Sequence, residues 1–204
     1  MRTDVAQDTP LGQLREIVLA EGGELAEAIV ADPGHEAFAP MLSAAERCAE
    51  RAGDYGLMIE SILEGYLVHY GCPRLLDPPD ENLRLLAGDY LYALGLARLA
   101  ALGDLPAVRE LADVISLSAA AHAGPAPPLE LPEAIWAVGA LGVAGGSWGE
   151  GEEAKQRIRD GLERGPAEAL DAAFRRADAL GIVQEARHAL IAFNGQRLRE
   201  SDST

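Results

Sequence analysis

The chain has 204 residues, of which 49% are apolar, so it is long enough for one well-buried domain and too apolar to be disordered. Its formal net charge of −16 repels nucleic-acid backbones and anionic lipid, and we expect neither as a partner. No segment reaches the roughly eighteen uninterrupted apolar residues of a membrane helix. The two cysteines, Cys48 and Cys72, form no disulfide framework. We therefore expect a cytoplasmic protein without stable membrane insertion.

Helix caps and helix breakers divide the first part of the chain. Thr9 followed by Pro10 is typical of a helix N-terminus. The pair Gly22-Gly23 predicts a kink or a break in that helix. A further helix is expected over Met41–Arg51, and Asp54 is expected to cap the next one.

Two long helices are predicted on either side of a Pro-rich acidic loop. The first runs to about His69, and Asp80 is expected to cap the second. Each has apolar residues at steps of three and four, which form one stripe on a helix, and we expect these stripes to face the core. The stripe residues are Ile59, Ile62, Leu63, Tyr66 and Leu67 in the first helix and Leu83, Leu86, Tyr90, Leu94 and Ala97 in the second.

The second half of the chain predicts further helices around one linker. Asp104 is expected to cap a helix, and the prolines of Gly124–Pro132 indicate a linker. The nearly all-apolar segment that follows predicts a buried helix ending near Gly145. Residues 201–204 are expected to be a disordered tail. Two amphipathic helices complete the domain, Ala167–Leu180 and Val183–Leu198.

Sequence motifs between residues 60 and 123 resemble those of a known enzyme family. Glu60 is followed by Tyr66-Leu67-Val68-His69 and later by Ala87-Gly88-Asp89-Tyr90-Leu91. This pattern resembles the trans-polyprenyl diphosphate synthases, the all-helical enzymes that elongate isoprenoid chains. The resemblance makes Glu60, Gly88 and Asp89 remnants of family motifs. Abundant Ala and Leu also favour helix over sheet. We expect an all-α single domain over residues 1–200, a bundle of about eight helices like a shortened isoprenoid synthase.

The aspartates that bind metal in this family are missing here. The first aspartate pair would fall at Tyr70 and Gly71, and no second motif follows. Prenyl transfer needs Mg²⁺ to bridge carboxylates and diphosphate. The cations that hold the donor diphosphate in the family correspond to Glu36, Ala37 and Ala39. The resemblance therefore implies a protein with no catalytic residues and no cofactor.

One acidic group follows the position of the missing motif. Asp77, Asp80 and Glu81 favour a solvated turn whose acids cap a helix. The alternative is a displaced magnesium site, which would make the chain a divergent magnesium-dependent prenyltransferase.

A second alternative concerns the lipid channel of the family. The resemblance places Gly65 and Tyr66 at the channel floor, with His69 as a motif remnant beside it. If the channel survived, the protein would bind an isoprenoid or another hydrophobic ligand. The residues themselves favour a core aromatic for Tyr66 and a satisfied core or rim histidine for His69.

The leading hypothesis is a partner or regulatory subunit of an isoprenoid-chain synthase. Some prenyl synthases are heterodimers in which one subunit lacks the aspartates. The helix after Asp80 also carries apolar residues off its main stripe, and a helix that is apolar on several sides is buried on several sides. We therefore expect a homodimer, or a heterodimer with an intact prenyl diphosphate synthase. The residues off the stripe are Leu85, Leu91, Tyr92, Leu96 and Leu99.

Overall fold

The protein is all-α, as its composition predicts. A computed structural model describes residues 8–31, 33–124, 127–128, 130–161 and 164–197. These residues form eleven helices and no strand, with one isolated β-bridge between Ile29 and Leu76. The helices are α1 (Pro10–Glu21), α2 (Gly23–Glu27), α3 (Ala39–Ala44), α4 (Glu46–Ala49), α5 (Ala52–Tyr70), α6 (Glu81–Ala101), α7 (Leu105–His122), α8 (Glu130–Gly145), α9 (Gly149–Arg159), α10 (Gly165–Leu180) and α11 (Val183–Arg197).

Side-chain caps begin three of these helices where the sequence predicts them. The Thr9 hydroxyl and the carboxylates of Asp80 and Asp104 each accept a backbone hydrogen bond in the first turn of α1, α6 and α7. The prediction that Asp54 caps α5 is wrong, because α5 already begins at Ala52. Asp54 lies in the first turn of α5, where the helix dipole favours a carboxylate, and pairs with Arg51 at 3.0 Å.

Short helices raise the number of helices above the eight expected. Gly22 has φ 73°, a conformation that favours glycine, and separates α1 from α2. The predicted helix over Met41–Arg51 is two helices, because Ala45 is extended with ψ 125°. Cys48 is the buried residue of α4.

Two predicted segments lie wholly or partly outside the described residues. The predicted linker Gly124–Pro132 includes residues 125, 126 and 129, and α8 begins within it at Glu130. The expected tail, residues 201–204, is also outside. The predicted buried helix ending at Gly145 is confirmed as α8.

Helix α5 is the centre of the fold. All its residues from Tyr55 to Val68 are buried, and it packs against α1, α3 and α6. Glycines bring α6 close to α5: an added Cβ at Gly88 would overlap the His69 ring, and one at Gly95 would overlap the Ile62 side chain. The second layer of the core is formed by α8, which is buried between α7 and α10.

Helix α6 faces the core with a different stripe from the one predicted. Leu83 is buried as expected, but Leu86 is 66% exposed and Ala97 is also exposed. The periodicity of the leucines is misleading here, because the glycines allow the closest approach between helices and therefore define the inner face. The buried residues of α6 are Leu83, Ala87, Gly88, Leu91, Gly95 and Leu99.

Candidate functional site

Glu60, the first motif residue, belongs to a buried ionic cluster. Glu60 Oε1 accepts backbone hydrogen bonds from residues 37–39 at 2.8 to 3.0 Å. Glu64, one turn later on α5, accepts backbone hydrogen bonds from residues 74–76 at 2.7 to 3.3 Å. Arg74 pairs with both carboxylates, and all three side chains are inaccessible to solvent. Burial disfavours the charged guanidinium, but the two carboxylates outweigh it and raise the pKa of Arg74.

This cluster fastens two loops to α5. The loop before α3 and the loop before α6 donate their N–H groups to Glu60 and Glu64. The resemblance places a donor diphosphate at the loop before α3, but in the structure the N–H groups there bind Glu60, a carboxylate of the same chain. The sequence prediction missed Glu64 and Arg74. Glu60 and Glu64 are four residues apart on an apolar helix and therefore lie on one face of it. Two acids in such a position could have indicated a buried cation between them.

The residues that the resemblance assigns to a lipid channel lie inside packed structure. Gly65 lies against the Tyr92 ring. Tyr66 is fully buried, and its ring centroid lies 5.6 Å from that of Trp136 and 5.7 Å from that of Phe193. The Tyr66 hydroxyl lies 3.3 Å from Nε2 of His122. Aromatic packing therefore occupies the position of the predicted channel floor.

Two cavities of the described residues lie away from the predicted channel floor. A void beside Phe38 and Leu141 has a volume of about 10 Å³, which is room for about one water molecule. An open groove of about 500 Å³ lies between α7, α8 and α9, and its lining does not include Gly65, Tyr66 or His69. Neither cavity is therefore the channel that the resemblance implies.

His69, Gly88 and Asp89 meet where α5 and α6 are close together. His69 Nε2 lies 3.3 Å from Asp89 Oδ1, and the ring packs on Gly88. Burial lowers the pKa of His69, and Asp89 only partly offsets this effect. The Asp89 side chain is 76% exposed, so this carboxylate points to solvent.

Asp77, Asp80 and Glu81 do not form a metal site in the structure. Asp80 Oδ1 accepts a hydrogen bond from the backbone N–H of Leu83 at 2.9 Å, and Glu81 lies in the first turn of α6. Among the described residues, no group of three or more His, Cys, Asp or Glu residues is arranged to hold a metal ion. The geometry therefore does not fit a magnesium site at these acids, and the capping role predicted for Asp80 is confirmed.

A second ionic cluster, which the sequence prediction missed, surrounds Lys155 on α9. Lys155 Nζ lies 3.1 Å from Glu110, 2.8 Å from Asp113 and 2.7 Å from Glu152, and its side chain is 2% exposed. Ser147 also donates a hydrogen bond to Glu110. Burial opposes the charged ammonium, but the three carboxylates outweigh it and raise the pKa of Lys155.

The outward side of α6 is an apolar surface. Leu85 is 51% exposed and Leu86 66% exposed. Elsewhere in the described part of the chain, large exposed apolar side chains occur singly on their helices, as with Leu105 and Ile191. We define the α6 outer face by six of the exposed residues of α6, Leu85, Leu86, Asp89, Ala93, Ala97 and Ala100. The other exposed residues of this helix, Glu81, Asn82, Arg98 and Ala101, are not counted in it.

Comparison of the chain with protein-family models, with curated proteins and with solved structures found no match. Within the described residues, no helix is both long enough and apolar enough to cross a membrane.

Proposed function

We propose that the protein is a non-catalytic interaction protein that binds another polypeptide through the α6 outer face. The observation that carries this proposal is the exposure of Leu85 and Leu86 next to each other on a 21-residue helix. Exposed apolar side chains that cluster on one helix are typical of protein interaction sites, whereas single ones are ordinary. The sequence resemblance suggests a specific partner, an intact isoprenoid-chain synthase that this chain would accompany as an inactive subunit.

Two features of the interior favour interaction over chemistry or ligand storage. The buried acids are bound to backbone N–H groups, to Arg74 or to Lys155, so they are committed to structural contacts. The aromatic packing around Tyr66 occupies the position at which a hydrophobic ligand would be expected. The exposed apolar surface of α6, by contrast, is available for contact with another polypeptide.

Sedimentation velocity on the purified protein tests this proposal. The protein would be examined alone and mixed with an intact isoprenoid-chain synthase, at low and at high salt. We expect a complex that Leu86→Gln disrupts. Leu105→Gln is the matched control, since Leu105 is 70% exposed on α7, and it should leave the complex intact. A monomer in every mixture at concentrations of tens of micromolar would refute the proposal.

Self-association through this face should be apolar rather than electrostatic. Two molecules of net charge −16 repel each other, so added salt should strengthen self-association or leave it unchanged. Weaker self-association at high salt would contradict an apolar contact through Leu86.

A further inference from the structure

The α6 outer face carries one charge. Asp89 lies among leucines and alanines, and its carboxylate is 76% exposed. The Asp89 carboxylate is paired with the His69 imidazole, whose Nε2 lies 3.3 Å from Asp89 Oδ1. Because burial lowers the pKa of His69, this imidazole is neutral near pH 7 and leaves the charge of Asp89 uncompensated.

The shape of the face suits a helix. Ala93, Ala97 and Ala100 are small and exposed, so a helix lying along α6 could approach its backbone closely. Leu85 and Leu86 stand at one end of this row of alanines and would insert between the side chains of such a helix. Contact along the face would cover Asp89, and a covered carboxylate without a counter-charge is strongly unfavourable.

A second α6 outer face does not supply the missing cation. The arginines of α6 are Arg84 and Arg98, nine and five residues from Ala93. At 3.6 residues per turn, these spacings place both side chains more than about 130° around the helix from Ala93. A second α6 outer face would therefore present another Asp89, on a molecule of net charge −16.

We propose that the α6 outer face binds an amphipathic helix of a partner protein whose apolar stripe is flanked by Lys or Arg, with one of these cations paired to Asp89. This inference rests on the proposed function and adds the chemistry of the partner. The negative net charge of the chain also favours such a partner, because it attracts a cationic segment and speeds its association.

Three synthetic helical peptides of about 20 residues, long enough to span α6, are the probes for this proposal. They share one leucine stripe and differ in their flanking residues, which are Lys, Gln or Glu. Fluorescence anisotropy would measure their affinities at about 150 mM salt, where long-range attraction is screened. We expect affinity to fall in the order Lys, Gln, Glu. Leu86→Gln should weaken the Lys peptide about tenfold or more, and Leu105→Gln should have no effect.

Paired charge variants separate a local contact with Asp89 from general attraction to an acidic protein. Asp89→Asn should weaken the Lys peptide about tenfold or more, because it leaves the Lys of the peptide covered without its counter-charge. Asp171→Asn removes the same charge from an exposed position on α10 and should leave the affinity unchanged. Equal weakening by both substitutions would overturn the proposal.

Other outcomes distinguish this inference from the proposed function on which it rests. If all three peptides bind equally well and depend on Leu86, the α6 outer face remains an interface but the cationic partner is refuted. A homodimer that Leu86→Gln dissociates would show that a second copy occupies the face, and would also refute the cationic partner. Peptide binding that is insensitive to Leu86 would overturn the inference together with the docking surface.

Discussion

Arg74 is the residue on which the buried charge balance of the core depends. Its guanidinium is enclosed with two carboxylates, and six backbone N–H groups complete the hydrogen bonding of those carboxylates. A buried ion pair is not in itself strongly stabilising, but removal of one partner leaves a charge in a medium of low dielectric constant. The cluster therefore makes the loops before α3 and α6 depend on a single cation.

Substitution of Arg74 should show this dependence. Arg74→Met should reduce the free energy of unfolding by about 3–5 kcal/mol, because it leaves Glu60 and Glu64 buried without their counter-charge. Arg51→Met is the control, since Arg51 pairs with Asp54 at the surface, and it should cost at most about 1 kcal/mol. Urea denaturation of both variants measures the difference. Equal losses would mean that the Arg74 cluster is open to water.

His69 should make stability depend on pH. Burial lowers its pKa below 6.5 in the folded protein, so the unfolded chain binds the proton first as the pH falls. The stabilisation is present above about pH 6.5 and is lost as the pH falls through the lowered folded pKa. Urea denaturation at about pH 7.5 and pH 5.5 should therefore show a smaller loss for His69→Gln than for the unsubstituted protein.

A histidine at the surface is the control for this measurement. His188 is exposed on α11, so His188→Gln should lose as much stability between the two pH values as the unsubstituted protein. Identical pH dependence of His69→Gln and His188→Gln would contradict the assignment to His69.

At the scale of the element, α6 is defined by its glycines. Gly88 and Gly95 lie directly against α5, and Leu91 lies between them on the buried side. The leucine repeat instead points to Leu86, which is at the surface. A close approach between two helices requires small residues at the crossing. A prediction that considers only the large apolar residues therefore assigns the wrong face of such a helix to the core.

Alanine substitutions test this orientation of α6. Leu91→Ala should lower the free energy of unfolding by about 2–5 kcal/mol, since Leu91 is fully buried. Leu86→Ala should change it by less than about 0.5 kcal/mol, as expected for a surface position. Chemical denaturation of the two variants is a matched comparison within one helix. A larger loss for Leu86 than for Leu91 would restore the orientation predicted from the leucines.

For the whole molecule, the absence of prenyltransferase activity is the expected outcome of an assay. The purified protein would be incubated with magnesium, isopentenyl diphosphate and an allylic diphosphate. Transfer needs carboxylates that hold Mg²⁺ against diphosphate, and Asp80 is already used as a helix cap. Magnesium-dependent elongation that Asp77→Ala or Asp80→Ala abolishes would instead support the divergent enzyme.

Local signals in the sequence predicted much of the fold. Thr9, Asp80 and Asp104 start their helices, and Gly22 ends one, because caps and breakers act within a few residues. The all-α class followed from composition. The partners of Glu60 could not be predicted, since Arg74 is fourteen residues away and the donating loop lies more than twenty residues before it. Such contacts depend on tertiary packing, which periodicity does not encode.

The candidate sites were harder to predict than the helices. The sequence singled out His69, Gly88 and Asp89, and the structure does bring them together, although at a packing contact between α5 and α6. The sequence provided no indication of the cluster around Lys155, whose carboxylates come from α7 and from the preceding turn of α9. The resemblance suggested a site at the acids of the loop, Asp77, Asp80 and Glu81. The exposure of Leu85 and Leu86 could not be predicted from the sequence, because it depends on how α6 packs against α5.

Lys155 also has a consequence for the chemistry of the surface. It is the single lysine of the sequence, and three carboxylates enclose it, so the folded protein presents no side-chain amine to solvent. Acylating reagents and enzymes that form isopeptide bonds need a free, accessible amine. They can reach Lys155 only when α9 separates from α7, and the rate of its labelling would then report how often this part of the molecule opens.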